Sequence, residues 1–260
     1  MNEKYKVLFI GAHHEEIEAE CPNIAAQLAG SNCEVTILNP IGGWNWKFIR
    51  DLPGDGRKRT IEDATNAAKA LGCQKIIWDY PIYKVERHMH EIMDRLSSFL
   101  LEYSPQIVFI HHPLDCNPDH RAIAHISRHI LSGAVHLKEC ECESTGVREV
   151  YAYQTGVAQA YHFIPDLLVK VDDISMKKAD ECIACFEPTA PDCVPLWRNN
   201  FHAKAQYWGT TLEGGGGAEA LKFLGPTLPL EGFLLKKILG DKLVPYPLYE
   251  PYSYNRDFQL

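Results

Sequence analysis

The stretch Val7-Leu8-Phe9-Ile10-Gly11-Ala12-His13-His14-Glu15-Glu16-Ile17-Glu18-Ala19-Glu20 decides how the rest of the chain is read. Residues 7–10 are a short apolar run of β-forming side chains, which predicts the first buried strand of a parallel sheet. Gly11 and Ala12 break the run, and His13, His14, Glu15, Glu16 and Glu18 follow. A strand that ends in small residues and then delivers imidazoles and carboxylates presents them at its C-terminal end, where open α/β sheets bind ligands. His13 and Glu16 stand three apart, and groups at i and i+3 of a helical turn share a face. That spacing suits an imidazole and a carboxylate holding one metal ion, with Glu15 between them to address a water. The same residues also read as a solvated acidic loop opening a helix, because carboxylates favour a helix N-terminus.

A second stretch decides between these readings. Residues 107–110 (Ile107-Val108-Phe109-Ile110) are another buried-strand run, followed by His111-His112-Pro113-Leu114-Asp115-Cys116-Asn117-Pro118-Asp119-His120-Arg121-Ala122. Two strands that each end in a loop rich in histidine and acid point to one shared site.

Around these strands the pattern alternates. Strands are predicted at 34–38, 75–78, 150–153 and 167–171, and helices at 21–29, 59–71, 87–103, 121–131, 175–186 and 196–209. Gly72 stands where a helix-ending glycine belongs. Alternating strands and helices imply an α/β fold, a Rossmann-like, mostly parallel sheet with helices on both faces. Residues 214–217 are all glycine and read as a flexible loop. Residues 225–260, rich in Pro, Tyr and Leu, read as an extended C-terminal arm packed on the body or on a neighbouring subunit. No linker divides the chain, so residues 1–260 are expected to form a single domain.

Composition narrows the function. The chain has 260 residues, 46% of them hydrophobic, enough for a substantial core. The formal net charge of −8 disfavours nucleic acid or an anionic membrane as partner. No secretory signal and no apolar run near the roughly 20 residues of a membrane span are present, which predicts a soluble cytoplasmic protein. Nine cysteines, an odd number without a compact framework, read as reduced thiols. The close pairs are Cys140 with Cys142 and Cys182 with Cys185. The second lies in a helical pattern, where buried thiols on a helix face are favoured over a metal or redox site.

The two loops resemble the motifs of the PIG-L/LmbE-like zinc deacetylases of N-acetylated sugars. That family opens with A-H-P-D-D-x-E after its first strand, and here Ala12-His13-His14-Glu15-Glu16-Ile17-Glu18 stand in that place. Its second motif, P-x-D-x-H-P-D-H-R-A, is matched by residues 113–122. Between the two, Arg59-Thr60-Ile61-Glu62 and Ala67-Ala68-Lys69-Ala70-Leu71-Gly72 fit the family's R-x-x-E helix and A-A-x-x-L-G turn. Gly209 and Gly217-Ala218-Glu219-Ala220 fit its closing motif. The resemblance runs from about Val7 to Phe223.

The resemblance implies a hydrolase that uses one zinc ion to remove an acetyl or other acyl group from the amide nitrogen of an N-acylated sugar; separately, the chain is expected to form a homo-oligomer. Its metal ligands fall on His13, Glu16 and His120, and its general base on Glu15. Asp119 is expected to orient His120 or a neighbouring group. Asn117 stands in a catalytic position, and Arg59, His112 and Asp115 in substrate-binding ones. A helix salt bridge is an equal reading for Arg59. Three departures matter. The family's Asp-Asp is Glu15-Glu16, each longer by one C–C bond, about 1.5 Å. A family histidine that stabilises the oxyanion and protonates the leaving amine is Asn117, which can donate a hydrogen bond but no proton. A later histidine falls at Cys185. The alternative to an enzyme is a catalytically reduced relative that binds metal or sugar without turnover.

Overall fold

The structure, a computed structural model, describes residues 4–133, 145–156, 159–225 and 232–246. In chain order its elements are β1 Tyr5–Ile10, α1 Glu16–Glu20, α2 Pro22–Ala29, β2 Cys33–Ile41, α3 Lys47–Arg50, α4 Gly56–Leu71, β3 Gln74–Tyr80, α5 Met89–Tyr103, β4 Ile107–His111, α6 Pro118–Gly133, β5 Glu149–Tyr153, β6 Leu167–Val171, α7 Asp173–Ala184, α8 Val194–Gly209, β7 Gly217–Gly225, α9 Leu234–Leu239 and β8 Leu243–Pro245.

The strands form one sheet ordered β3-β2-β1-β4-β5-β7-β6-β8. From β3 to β5 every pairing is parallel. Beyond β5, strand β7 runs antiparallel to β5 and β6, and β8 antiparallel to β6. The period of two along each strand divides the core. Val7 and Phe9 of β1, with Ile107 and Phe109 of β4, face α2, α4 and α7. Leu8 and Ile10, with Val108 and Ile110, face α5 and α6. Both faces of these strands are therefore covered, which is why they read as unbroken apolar runs. The Phe9 and Phe109 rings stack at 4.4 Å across the pair. Burying each such ring contributes up to about 3 kcal/mol.

The chain winds outward from β1 through β2 to β3, then returns to place β4 on the other side of β1. The reversal opens a crevice at the C-terminal ends of β1 and β4, the general ligand site of such sheets. Both histidine-rich loops leave the sheet there.

The expected helices and strands are present, with bounds that differ by a few residues. Five elements go beyond the expected set: α1, α3, β7, and α9 and β8 in the arm. Strand β7 begins at Gly217 and takes in the Ala218-Glu219-Ala220 motif, whose small and charged residues hide a strand. A Cβ on Gly209 would come within 1.8 Å of the Gly216 carbonyl oxygen, so the glycine run folds onto the end of α8.

The C-terminal arm is only partly extended. Its α9 buries Leu234, Leu235 and Leu239 in the core, and β8 adds an edge strand to β6. Glu149 anchors α9 by accepting the N–H groups of Leu234 and Leu235, two of the donors a helix N-terminus leaves open. The Cys140/Cys142 pair and the proline- and tyrosine-rich residues 247–260 lie outside the described residues. Cys182 is buried and Cys185 half-buried, both as free thiols. No helix among the described residues is long and apolar enough to cross a membrane.

Candidate metal centre

The centre begins at the end of β1. The Gly11 amide continues the sheet by donating to the Leu38 carbonyl, and Asn39 Nδ2 donates to the His13 carbonyl. A Cβ on Gly11 would meet Asn39 Nδ2 at 2.8 Å and Glu16 Oε2 at 3.2 Å, so only glycine lets both side chains close in. The chain then turns directly into α1, with Glu16 as its first residue.

His13, Glu16 and His120 come together as the sequence leads one to expect. One ligand atom from each lies within 4.8 Å of the others, and all three side chains are buried. No other such group of His, Cys, Asp or Glu occurs among the described residues. His13 Nδ1 lies 2.7 Å from Glu16 Oε1, and His120 Nε2 meets the same oxygen. The far nitrogen of each imidazole is held by a carboxylate. His13 Nε2 lies 3.1 Å from Asp119 Oδ2, and His120 Nδ1 lies 3.0 Å from Asp115 Oδ2. A neutral imidazole carries one N–H, and a carboxylate partner fixes it on the nitrogen it faces. The nitrogens aimed at Glu16 are then lone pairs.

His111 closes the ring of groups. Its imidazole stacks on His120, with centroids 4.5 Å apart and planes 3° from parallel. The Ala12 N–H donates to Nε2 at 2.7 Å, so the ring's proton sits on Nδ1, 3.0 Å from the Tyr153 hydroxyl oxygen. That hydroxyl donates in turn to the Ile10 carbonyl at 3.3 Å. His111 Nε2 lies only 2.7 Å from Glu16 Oε2, a pair that distance alone would make an ion pair. However, Nε2 already accepts from Ala12, and burial lowers the His111 pKa, so it has no proton to offer. Glu16 Oε2 is left buried without a donor.

Buried lone pairs and a buried carboxylate that converge on one point make a donor set suited to a cation. Protons are the substitute. Burial opposes charge on His13, but Glu16, Asp119 and Glu15 outweigh it and lift the pKa to about 9. His120 is likewise opposed by burial and lifted to about 11 by Glu16 and Asp115. Burial would raise Glu16, yet the protonated His120 and His13 hold it well below the usual carboxylate range. An N/O donor set of two imidazoles and a carboxylate, each imidazole backed by a carboxylate, fits a divalent metal such as zinc.

The remaining expected residues divide. Glu15 is buried, and burial raises its pKa to about 7, with Glu16 adding to the rise. Its Oε2 lies 3.3 Å from His14 Nδ1, and neither atom makes a hydrogen bond. His14 packs between Trp44 and Phe186, and burial takes its pKa down to about 3. Asp119 orients His13 rather than His120, and also accepts the Tyr83 N–H at 2.8 Å. Tyr83 has φ of 57°, a conformation costly for a tyrosine, and this bond secures it.

Asp115, expected to face substrate, is instead the support of His120. Its carboxylate accepts from Thr155 Oγ1 and from the Asn117 N–H, and it is buried. Asn117 opens α6 as its cap, with Oδ1 accepting the Asp119 N–H at 2.9 Å. Arg59 donates to the Pro53 and Pro188 carbonyls, tying two loops. His112 is buried against Phe163, with Nε2 3.0 Å from the Tyr161 carbonyl oxygen. Cys185 caps α7, and its thiol faces the Glu181 carbonyl. His111 lies in the loop the sequence assigns to the site, as the first of a His-His pair at a strand end, like His13. Tyr83, Thr155 and Asn39 join the site without a signal in the sequence.

Residues 8–131 match the model of the PIG-L family, described as GlcNAc-PI de-N-acetylase. No curated protein sequence matches the chain. Among solved structures, the conserved protein TT1542 from Thermus thermophilus is 20% identical, with a TM-score of 0.67 over 86% of this chain and 97% of that one. The N,N'-diacetylchitobiose deacetylase from Pyrococcus horikoshii is 18% identical, with a TM-score of 0.68 over 84% of this chain and 83% of that one. GalB, the 4-carboxy-2-hydroxymuconate hydratase from Pseudomonas putida, is also 18% identical, with a TM-score of 0.68 over 86% and 98%. At these identities the likeness is one of fold, and the fold serves both a deacetylase and a hydratase. The matched residues 8–131 contain both histidine-rich loops and all three converging ligands, so the likeness to the PIG-L family model takes in the whole of this site.

Proposed function

We propose that the protein is a zinc-dependent amidohydrolase that removes an acetyl or other acyl group from the nitrogen of an N-acylated sugar or sugar conjugate. The observation that carries this reading is the convergence of His13, Glu16 and His120 on one buried point, with Asp119 and Asp115 behind the two imidazoles. Bound there, zinc supplies Lewis acidity, polarising an amide carbonyl and acidifying a water.

The chain's own residues do the rest. Glu15 neighbours the ligand Glu16, has a free oxygen, and has a pKa near 7, which suits a proton acceptor that must later donate. It takes a proton from the attacking water and holds it on its carboxylate. It returns that proton to the nitrogen as the C–N bond breaks, giving a carboxylic acid and a free amine. Asn117 spends its Oδ1 on the helix cap, which leaves the donor end of its amide for the developing oxyanion. Asp115 and Asp119 keep the ligand imidazoles in the right tautomer and orientation.

The test is metal analysis of the purified protein together with acetate release from a panel of N-acetylated sugars. One zinc per chain and zinc-dependent release from at least one sugar support the reading. Zinc uptake with no release from any substrate leaves a metal-binding relative without turnover, and the hydrolase reading fails.

A further inference from the structure

Helix α1 is five residues long. Isolated helices shorter than roughly 12 residues are marginal in water, so α1 cannot hold its own shape. Yet it carries Glu16, and a metal-binding constellation tolerates errors of only about 0.5 Å. The position of α1 must be set from outside.

Its three glutamates show how. At 3.6 residues per turn, Glu16 and Glu20 share a face and Glu18 points the other way. Glu18 Oε1 lies 2.6 Å from Lys75 Nζ, with side chains 0% and 1% exposed. Lys75 belongs to β3, the sheet edge on the far side of β2 from β1. On the opposite side, Glu20 Oε2 pairs with Lys204 Nζ of α8 and accepts from Asn200 Nδ2 at 2.8 Å. Lys204 Nζ completes its three donors on the Glu20 carbonyl at 2.8 Å and the Gln154 carbonyl at 2.9 Å. Gln154 directly follows β5. The short helix is thus strung between two buried lysines on opposite sides, with Glu16 aimed at the histidines from the middle.

We infer that Lys75 and Lys204 are positioning residues of the metal centre, a clamp on α1 that sets how well Glu16 holds the ion. The inference rests on the metal reading above. The sign of the effect separates the clamp from simple electrostatics. Removing a buried cation near a metal site favours a second cation, so field alone makes zinc bind more tightly in Lys75→Met. Loss of position makes it bind more weakly.

The experiment is zinc affinity by competition with a chromophoric chelator at fixed pH, alongside the melting temperature of the metal-free protein. Lys75→Met and Lys204→Met are expected to weaken zinc 10–100-fold, the usual scale for residues supporting metal ligands. The paired variants Glu18→Gln/Lys75→Met and Glu20→Gln/Lys204→Met leave no lone buried charge. They are expected to recover much of the melting temperature but to stay 10–100-fold weak for zinc. If the single variants do not fold, the paired ones decide. Wild-type or tighter zinc binding in both paired variants overturns the clamp. A wild-type protein that takes up no zinc overturns the metal reading itself, and the clamp with it.

Discussion

Glu16 reaches its place because Gly11 has no side chain. A glutamate is longer than the aspartate of the family motif, and its extra carbon needs room near the backbone it springs from. The carboxylate folds back beside Gly11, where a Cβ would lie 3.2 Å from Oε2. Gly11→Ala should therefore weaken zinc binding by about 10-fold or more, measured by chelator competition, because Asn39 and Glu16 both have to retreat. Glu15→Gln should keep the metal and lose about 10²-fold or more in rate, since the amide cannot accept the proton. Asn117 has two duties that three variants separate. Asn117→Ala should lose about 1 kcal/mol of stability with the cap and about 10²–10³ in rate with the oxyanion donor. Asn117→Asp keeps a good cap, so it should keep the melting temperature and still lose the rate. Asn117→His should lose cap stability while keeping a donor. Equal rates in all variants would leave Asn117 as a cap alone. At this scale the ligands are legible in the sequence because their type and spacing are set by coordination chemistry. Asp115 behind His120 is not, because a carboxylate behind an imidazole and one facing solvent look alike until the loop is folded.

The elements hold the site through their ends. Glu219 of β7 shows this for α2. Its carboxylate accepts the N–H groups of Asn23 and Ile24 and the Asn23 side-chain amide, at 2.8–3.1 Å. The helix begins Cys21-Pro22, and the Cys21 side chain makes no capping bond, so the acceptor has to come from another element. Burial raises the Glu219 pKa, while these donors act to lower it. Glu219→Ala strands buried donors and should cost about 1–3 kcal/mol, read from the urea midpoint. A change below about 0.5 kcal/mol would mean the helix finds another cap. The strands β1 and β4 are plain in the sequence because both faces are buried and the runs are all apolar. Helix α1 is not, since Glu-Ile-Glu-Ala-Glu has too few residues for a helical period. Strand β7 is hidden by Gly217, Ala218 and Glu219, which suit a close approach and a cap rather than a strand.

Over the whole molecule, the site stores positive charge that a metal would replace, and this fixes the pH behaviour. The folded pKa values of His13, about 9, and His120, about 11, lie above the ordinary 6.5 of imidazole. Their stabilising contribution is complete below pH 6.5 and is lost as pH rises through 9 and 11. Glu15, raised to about 7, adds a penalty that grows between its ordinary 4.5 and 7. All three run the same way, so the metal-free protein should melt at progressively lower temperature from about pH 6.5 to about 9.5. Zinc affinity should rise over the same window, because binding displaces imidazole protons. A flat melting profile in the metal-free protein would contradict the charge assignment. The doubly covered sheet and its crevice are readable from the alternation of elements. The antiparallel extension β7-β6-β8 is not, since its pairing depends on contacts far apart in the chain.

One metal ion is expected between His13, Glu16 and His120. The direct measurement is a crystal structure of the protein grown with zinc, with anomalous data collected on both sides of the zinc absorption edge. One anomalous peak per chain is expected at the convergence point, with both imidazole nitrogens about 2.0–2.1 Å from the ion and a Glu16 oxygen at about 2.0–2.2 Å. A peak bound elsewhere, or His13 and His120 too far apart to share an ion, would contradict the account.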